Sequence, residues 1–116
     1  MDDLVVAPDG FAVLCADANT AVNGGVVCDY EYGSFVLANT SDEVVLDFDG
    51  LAVDEVRYNE NGGWPVAAGA SLMLDPGFFD ALSNDSPNNW CATPAGFEFG
   101  SGDRGTPGAP NPSCTP

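Results

Sequence analysis

Four cysteines, Cys15, Cys28, Cys91 and Cys114, carry the most definite chemistry in this chain. None belongs to a C-x-x-C pair, and there is no histidine to complete a zinc site. Disulfide bonding is the chemistry that remains. Four cysteines allow three pairings, and the local one, Cys15 with Cys28 and Cys91 with Cys114, is the simplest. It closes two modest loops, each worth about 3 kcal/mol in the chain-entropy description. Two disulfides imply an oxidising compartment; the alternative is a cytosolic protein with four buried thiols. A reactive cysteine needs a cation beside its thiolate, and neither Arg57 nor Arg104 is close to one in sequence.

Catalytic sets are missing. Without histidine there is no Ser-His or Cys-His pair, and without lysine no Schiff base or Ser-Lys pair. No P-loop or dinucleotide fingerprint occurs. Paired carboxylates of the glycosidase type are uninformative, because 18 acidic residues create many pairs by chance. The expectation is a protein that is not an enzyme. Calcium is the one cofactor to weigh. Asp17-Ala18-Asn19 and Asp47-Phe48-Asp49-Gly50 space oxygen ligands two apart, but calcium takes six to eight oxygens and neither stretch continues as an EF-hand loop. A hydrogen-bonded loop at Asp17 and a β-turn at Asp47 are the simpler expectations, as is a loop over Asn59 to Gly63. No metal site is therefore assigned. Trp64 and Trp90 have the shape of sugar-stacking platforms, yet each abuts Pro or Cys, which favours buried anchors.

The charge excludes whole classes of partner. The net charge is −16, with Arg57 and Arg104 the only basic side chains. Two cations make no patch for phosphates, so no nucleic acid is expected, and anionic membrane surfaces are disfavoured. The charge suits a solvated, aggregation-resistant surface in salty surroundings. No apolar run approaches the roughly 20 residues that span a bilayer, so no membrane insertion is expected. MDDLVVAPDG has no basic n-region and does not read as a signal peptide; an export signal is expected outside the chain as given.

The elements that must position these residues are strands. Ser34 to Tyr58 reads as three short strands joined by turns at Asn39-Thr40-Ser41-Asp42 and Asp47-Phe48-Asp49-Gly50. Phe35 and Leu37, then Val44, Leu46 and Phe48, then Val56 and Tyr58 alternate with a period of two. Phe11 to Cys15, Ala70 to Leu74 and Asn89 to Thr93 read as further strands, and PGFFDAL from Pro76 as one helical turn. A polar loop, Ala16 to Val27, separates the first two cysteines. Residues 1–93 are expected to form one domain, with 94–116 a Pro/Gly-rich tail packed on it through Phe97 and Phe99. Short strands with turns every 8 to 12 residues predict an all-β, Ig-like β-sandwich.

The ordered series SFVLANTSDEVVL, AVDEVRY, GGWP, GASLML, NNWC and GDRGTPGAPN resembles the lamin-tail domain as it occurs in secreted bacterial proteins. The resemblance runs from Val5 onward, and its most distinctive part is the closing Gly105 to Asn111 after Asn89-Trp90-Cys91. It implies an Ig-like sandwich, in agreement with the strand pattern. Family members usually begin with further strands, carrying segments like W-x-E-L-x-N and D-L-S-G-W, and neither is present here. In family terms the chain starts mid-domain, and the sandwich is expected to be incomplete. Exposed sheet edges then predict self-association, by strand pairing or domain swapping.

Bacterial lamin-tail domains accompany extracellular hydrolases, nucleases and surface proteins. The resemblance implies a non-catalytic module, secreted or at the cell surface, that serves protein interaction, adhesion or structural support. The related animal domain makes chromatin contacts, a role that a charge of −16 argues against here. The alternatives are a calcium-binding structural or ligand-binding domain, and a truncated fragment without independent function.

Overall fold

The computed structural model describes residues 4–114. Eight strands and three single-turn 3-10 segments make up its regular structure, and no α-helix occurs among the described residues. The fold is β-rich, in agreement with the all-β expectation. The strands pair two by two. β1 (Leu14–Cys15) runs parallel to β2 (Tyr30–Glu31), while β3 (Ser41–Phe48) pairs antiparallel with β4 (Leu51–Asn59). β5 (Leu72–Leu74) pairs with β6 (Trp90–Ala92), and β7 (Glu98–Phe99) with β8 (Asp103–Arg104), both antiparallel.

The expected three-strand meander is a two-stranded hairpin. Ser34 to Leu37 alternates as a strand should, but it pairs with no ladder and Phe35 is exposed. The first turn residues act through a side chain instead. Asp42, already inside β3, accepts the backbone N–H of Ala38 at 2.9 Å, and the Tyr58 hydroxyl donates to the carbonyl of the same Ala38. The second turn is tighter than the four residues expected, because β3 continues through Phe48. Only Asp49 (φ 53°) and Gly50 (φ 79°) remain outside the ladder. Positive φ at both positions is the primed two-residue turn whose twist suits a hairpin, and Asp-Gly is a preferred pair for it. A register shift at Leu46/Asp47 leaves Val53 as the extra residue of a bulge.

The body is a chain of short ladders. Thr93 N–H donates to Ser71 O at 2.9 Å, extending the β5–β6 pair, and Ser71 N–H donates to Arg104 O at 2.8 Å, joining β8 to it. The C-terminal segment is thus hydrogen-bonded into the body. Asn111 Nδ2 adds a bond to Leu74 O at 2.9 Å, and Asp75 accepts the N–H of Cys114 at 3.0 Å. The helical turn expected from Pro76 is displaced to two 3-10 turns, Ser83–Asp85 and Pro87–Asn89.

The interior is small. Trp64 (8% exposed) and Met73 (3%) are its buried apolar residues, with Thr93 fully enclosed and its hydroxyl 2.6 Å from that of Ser71. The accessible surface is 7842 Å², against about 5,900 Å² for a compact monomer of this mass, an excess of about 1,900 Å². The radius of gyration, 14.4 Å, likewise exceeds the about 13.4 Å of a compact chain of this length.

Candidate functional site

The two disulfides are those of the local pairing. Cys15 and Cys28 are joined with Cα atoms 5.9 Å apart, Cys91 and Cys114 with Cα atoms 5.8 Å apart, and none of the four is a free thiol. The first pins the loop between β1 and β2 across its base. Inside that loop Asn23 acts as a hub: its Nδ2 donates to the carbonyls of Asp17 and Val26, and its Oδ1 accepts the N–H of Val26 at 3.0 Å. Neighbouring acids serve the same end. Asp29 accepts from Val13 N–H and Glu31 from Ala18 N–H, each at 2.7 Å. The second disulfide ties the C-terminal segment to β6, next to the Asp75 clamp.

Three of the suggested calcium ligands, Asp17, Asn19 and Asn59, accept backbone N–H groups. Asp17 Oδ1 accepts the N–H of Asn19 at 2.9 Å, and Asn19 Oδ1 accepts that of Ala21 at 3.0 Å. Asn59 caps its turn by accepting Asn61 N–H at 2.9 Å. Asp47 lies in β3 and Asp49 in the hairpin turn. No group of three or more His, Cys, Asp or Glu that could hold a metal ion forms among the described residues. Trp64 and Trp90 pack against each other, with ring centroids 5.7 Å apart and planes tilted by 53°. Trp90 is half-buried and its Nε1 donates to Asn84 O at 2.8 Å. Both rings are structural parts of one corner.

What stands out instead is the β3–β4 hairpin. Its body-facing side carries Val44, Val56 and Tyr58 over a cleft of about 460 Å³ that ends on Leu72 and Trp90. One side-chain bond fastens it there: Asn84 Nδ2 donates to Asp54 Oδ2 at 2.6 Å. Asn84 is buried, and its Oδ1 has no protein partner. Burial raises the Tyr58 hydroxyl above its ordinary value, helped by the charges of Asp42 and Glu43. The tip is bare. Phe48 is 76% and Leu51 74% exposed, with Val45, Leu46 and Val53 exposed beside them. The opposite side carries an ionic cluster in which Arg57 lies 3.3 Å from Glu55 and 3.9 Å from Glu43.

The contact surfaces expected from the sequence are exposed sheet edges. The apolar tip was readable in the Phe48 and Leu51 that flank an Asp-Gly turn, a place where polar residues are usual. No helix among the described residues is long and apolar enough to cross a membrane. Comparison with protein-family models, curated proteins and solved structures returned no match for this chain.

Proposed function

We propose that this chain is a non-catalytic, extracytoplasmic interaction module, a lamin-tail-like β-sandwich in which the β3–β4 hairpin is the contact surface. One observation carries the proposal: a disulfide-stapled body holds out a hairpin whose apolar tip is three-quarters exposed. Contiguous exposed apolar side chains mark contact sites, and Val45, Leu46, Phe48, Leu51 and Val53 lie together on this hairpin. The disulfides support an oxidising environment. The pairwise ladders suit a sandwich whose two layers close when the hairpin is covered. The ordered motifs from Ser34 to Asn111 support the lamin-tail likeness, and a charge of −16 sets nucleic acid aside.

A photo-cross-linking residue tests the role. Benzoylphenylalanine in place of Phe48 is expected to form adducts with another polypeptide chain in the native secretion medium. The same residue in place of Val27, exposed but outside the hairpin, is expected to form none. Equal adducts at both positions, or none at either, would refute the assigned surface.

A further inference from the structure

We infer that the occupant of the hairpin is a second copy of this chain, paired through the outer edge of β4. The inference rests on the contact role proposed above and names its partner. Two observations meet at this edge, an unpaired strand and its charge pattern. The β3–β4 sheet has only two strands, and no other described strand pairs with β4. A lone two-stranded ribbon is marginal in water and gains from further strands.

Charge then selects the edge and the register. β4 carries Arg57, one of the two cations in the chain, next to Val56 and Glu55, whereas β3 carries only acids. In an antiparallel two-fold pairing centred on Val56, Arg57 faces Glu55 of the second copy and Glu55 faces its Arg57. Asp54 faces Tyr58 in the same way. Opposite charges directly across a ladder stabilise it, and like charges destabilise it. A shift of one residue, centred on Arg57, sets the two arginines against each other. A strand with a single cation therefore has one favoured way to meet itself. In that register the Phe48–Leu51 tip of each copy reaches the level of the second copy's Glu60–Gly62 turn, beyond the end of its β4. The two sheets become one of four strands, with the unpaired backbone groups of both β4 edges satisfied.

Sedimentation equilibrium on the intact, oxidised protein tests this with four chains: wild type, Arg57→Glu, Glu55→Arg and Glu55→Arg/Arg57→Glu. The wild type is expected to be a dimer. Each single reversal places like charges across the two-fold and is expected to weaken dimerisation about tenfold. The double reversal restores the opposite-charge pairs across the two-fold, while position 57 then faces Glu43 within its own hairpin, and is expected to recover most of the affinity. Both positions are exposed, so the disulfide-stapled body tolerates the changes, and the thermal transition of each variant verifies this. A wild type that stays monomeric up to about 100 µM overturns the inference. So does a dimer that the double reversal leaves as weak as either single one. Cross-links from position 48 to an unrelated chain, with a monomeric wild type, would overturn self-pairing yet leave the contact surface standing. A monomeric wild type with no cross-link from position 48 to any chain removes both.

Discussion

Asn84 and Asp54 are 30 positions apart and meet side chain to side chain, the amide nitrogen of one 2.6 Å from a carboxylate oxygen of the other. This contact anchors the hairpin to the body at the strand that also offers its outer edge. It couples the position of β4 to the 3-10 turn at Ser83–Asp85, and through Asn84 O to the indole of Trp90.

Asp54→Ala removes the acceptor and leaves a buried amide unpaired. The expected loss is about 1–3 kcal/mol, the usual cost of an unsatisfied buried polar group. Chemical denaturation measures it. Amide exchange is expected to accelerate over 41–59 more than over 72–92, since the hairpin loses its fastening and the body does not.

Replacing Cys91 and Cys114 together by alanine opens a loop with a sequence separation of 23. The unfolded chain gains freedom worth about 3 kcal/mol in the loop-entropy description. The C-terminal segment also loses its covalent hold, although Asp75 still accepts the N–H of residue 114. A lower denaturation midpoint, with faster proteolysis after Arg104, is the expected result. An unchanged midpoint would mean that the ladder from β8 to Ser71 holds the segment by itself.

Stability is expected to peak on the acid side of neutrality. Backbone N–H groups of Ala38 and Glu43 hold the Asp42 carboxyl below its ordinary value of 3.8. Those of Gly77 and Cys114 do so for Asp75, and that of Ser83 for Asp80. A carboxylate lowered by folding contributes fully above its unfolded value and is lost as pH falls through the folded one. These three contributions persist down to pH 3.8 and disappear below it. Repulsion within the excess of negative charge works in the opposite sense, falling as pH approaches the sequence pI of about 4.1. Melting temperatures from pH 8 to pH 2 are expected to rise to a maximum at about pH 4–5 and then drop steeply. Asp42→Asn is expected to shorten the rise and flatten the drop. At the alkaline end, Tyr58 is raised above its ordinary 10.0, so its contribution is complete below that value and is lost as pH climbs through the higher folded one.

Millimolar calcium is expected to leave the melting temperature where EDTA leaves it. The oxygens of Asp17, Asn19 and Asn59 accept backbone N–H groups, and the described acids do not gather in threes. A ligand specific to the folded state adds about 2.7 kcal/mol at a hundredfold excess over its dissociation constant. A shift of that size would reinstate the Asp17 loop as a binding site.

Dimerisation is expected to tighten with added salt. Two bodies of charge −16 repel over a distance set by the Debye length, about 30 Å at 0.01 M and 8 Å at physiological strength. The Arg57–Glu55 pairs weaken too, but they number two against many unbalanced acids. A dissociation constant that falls from low to physiological salt is the expected sedimentation result.

Much of the local structure was written in the sequence. Leu72-Met73-Leu74 and the strand at Trp90-Cys91-Ala92 are where alternation and turn signals placed them, and Asp49-Gly50 turns a hairpin because positive φ at both sites is a property of those residues. The simplest cysteine pairing is the one formed, since short loops cost little entropy to close. Partners across space were not legible. Ser34 to Leu37 has the period of a strand, yet a strand exists only where another backbone accepts its hydrogen bonds, and none does. The parallel match of Leu14 with Tyr30, the tail segment Asp103–Arg104 joined to Ser71, and the grip of Asn84 on Asp54 each depend on residues brought together by folding. Periodicity is a property of neighbours in sequence, whereas pairing and burial are properties of neighbours in space. The tertiary structure alone therefore decided that β4 pairs with no described strand besides β3, which leaves the edge bearing Arg57 open.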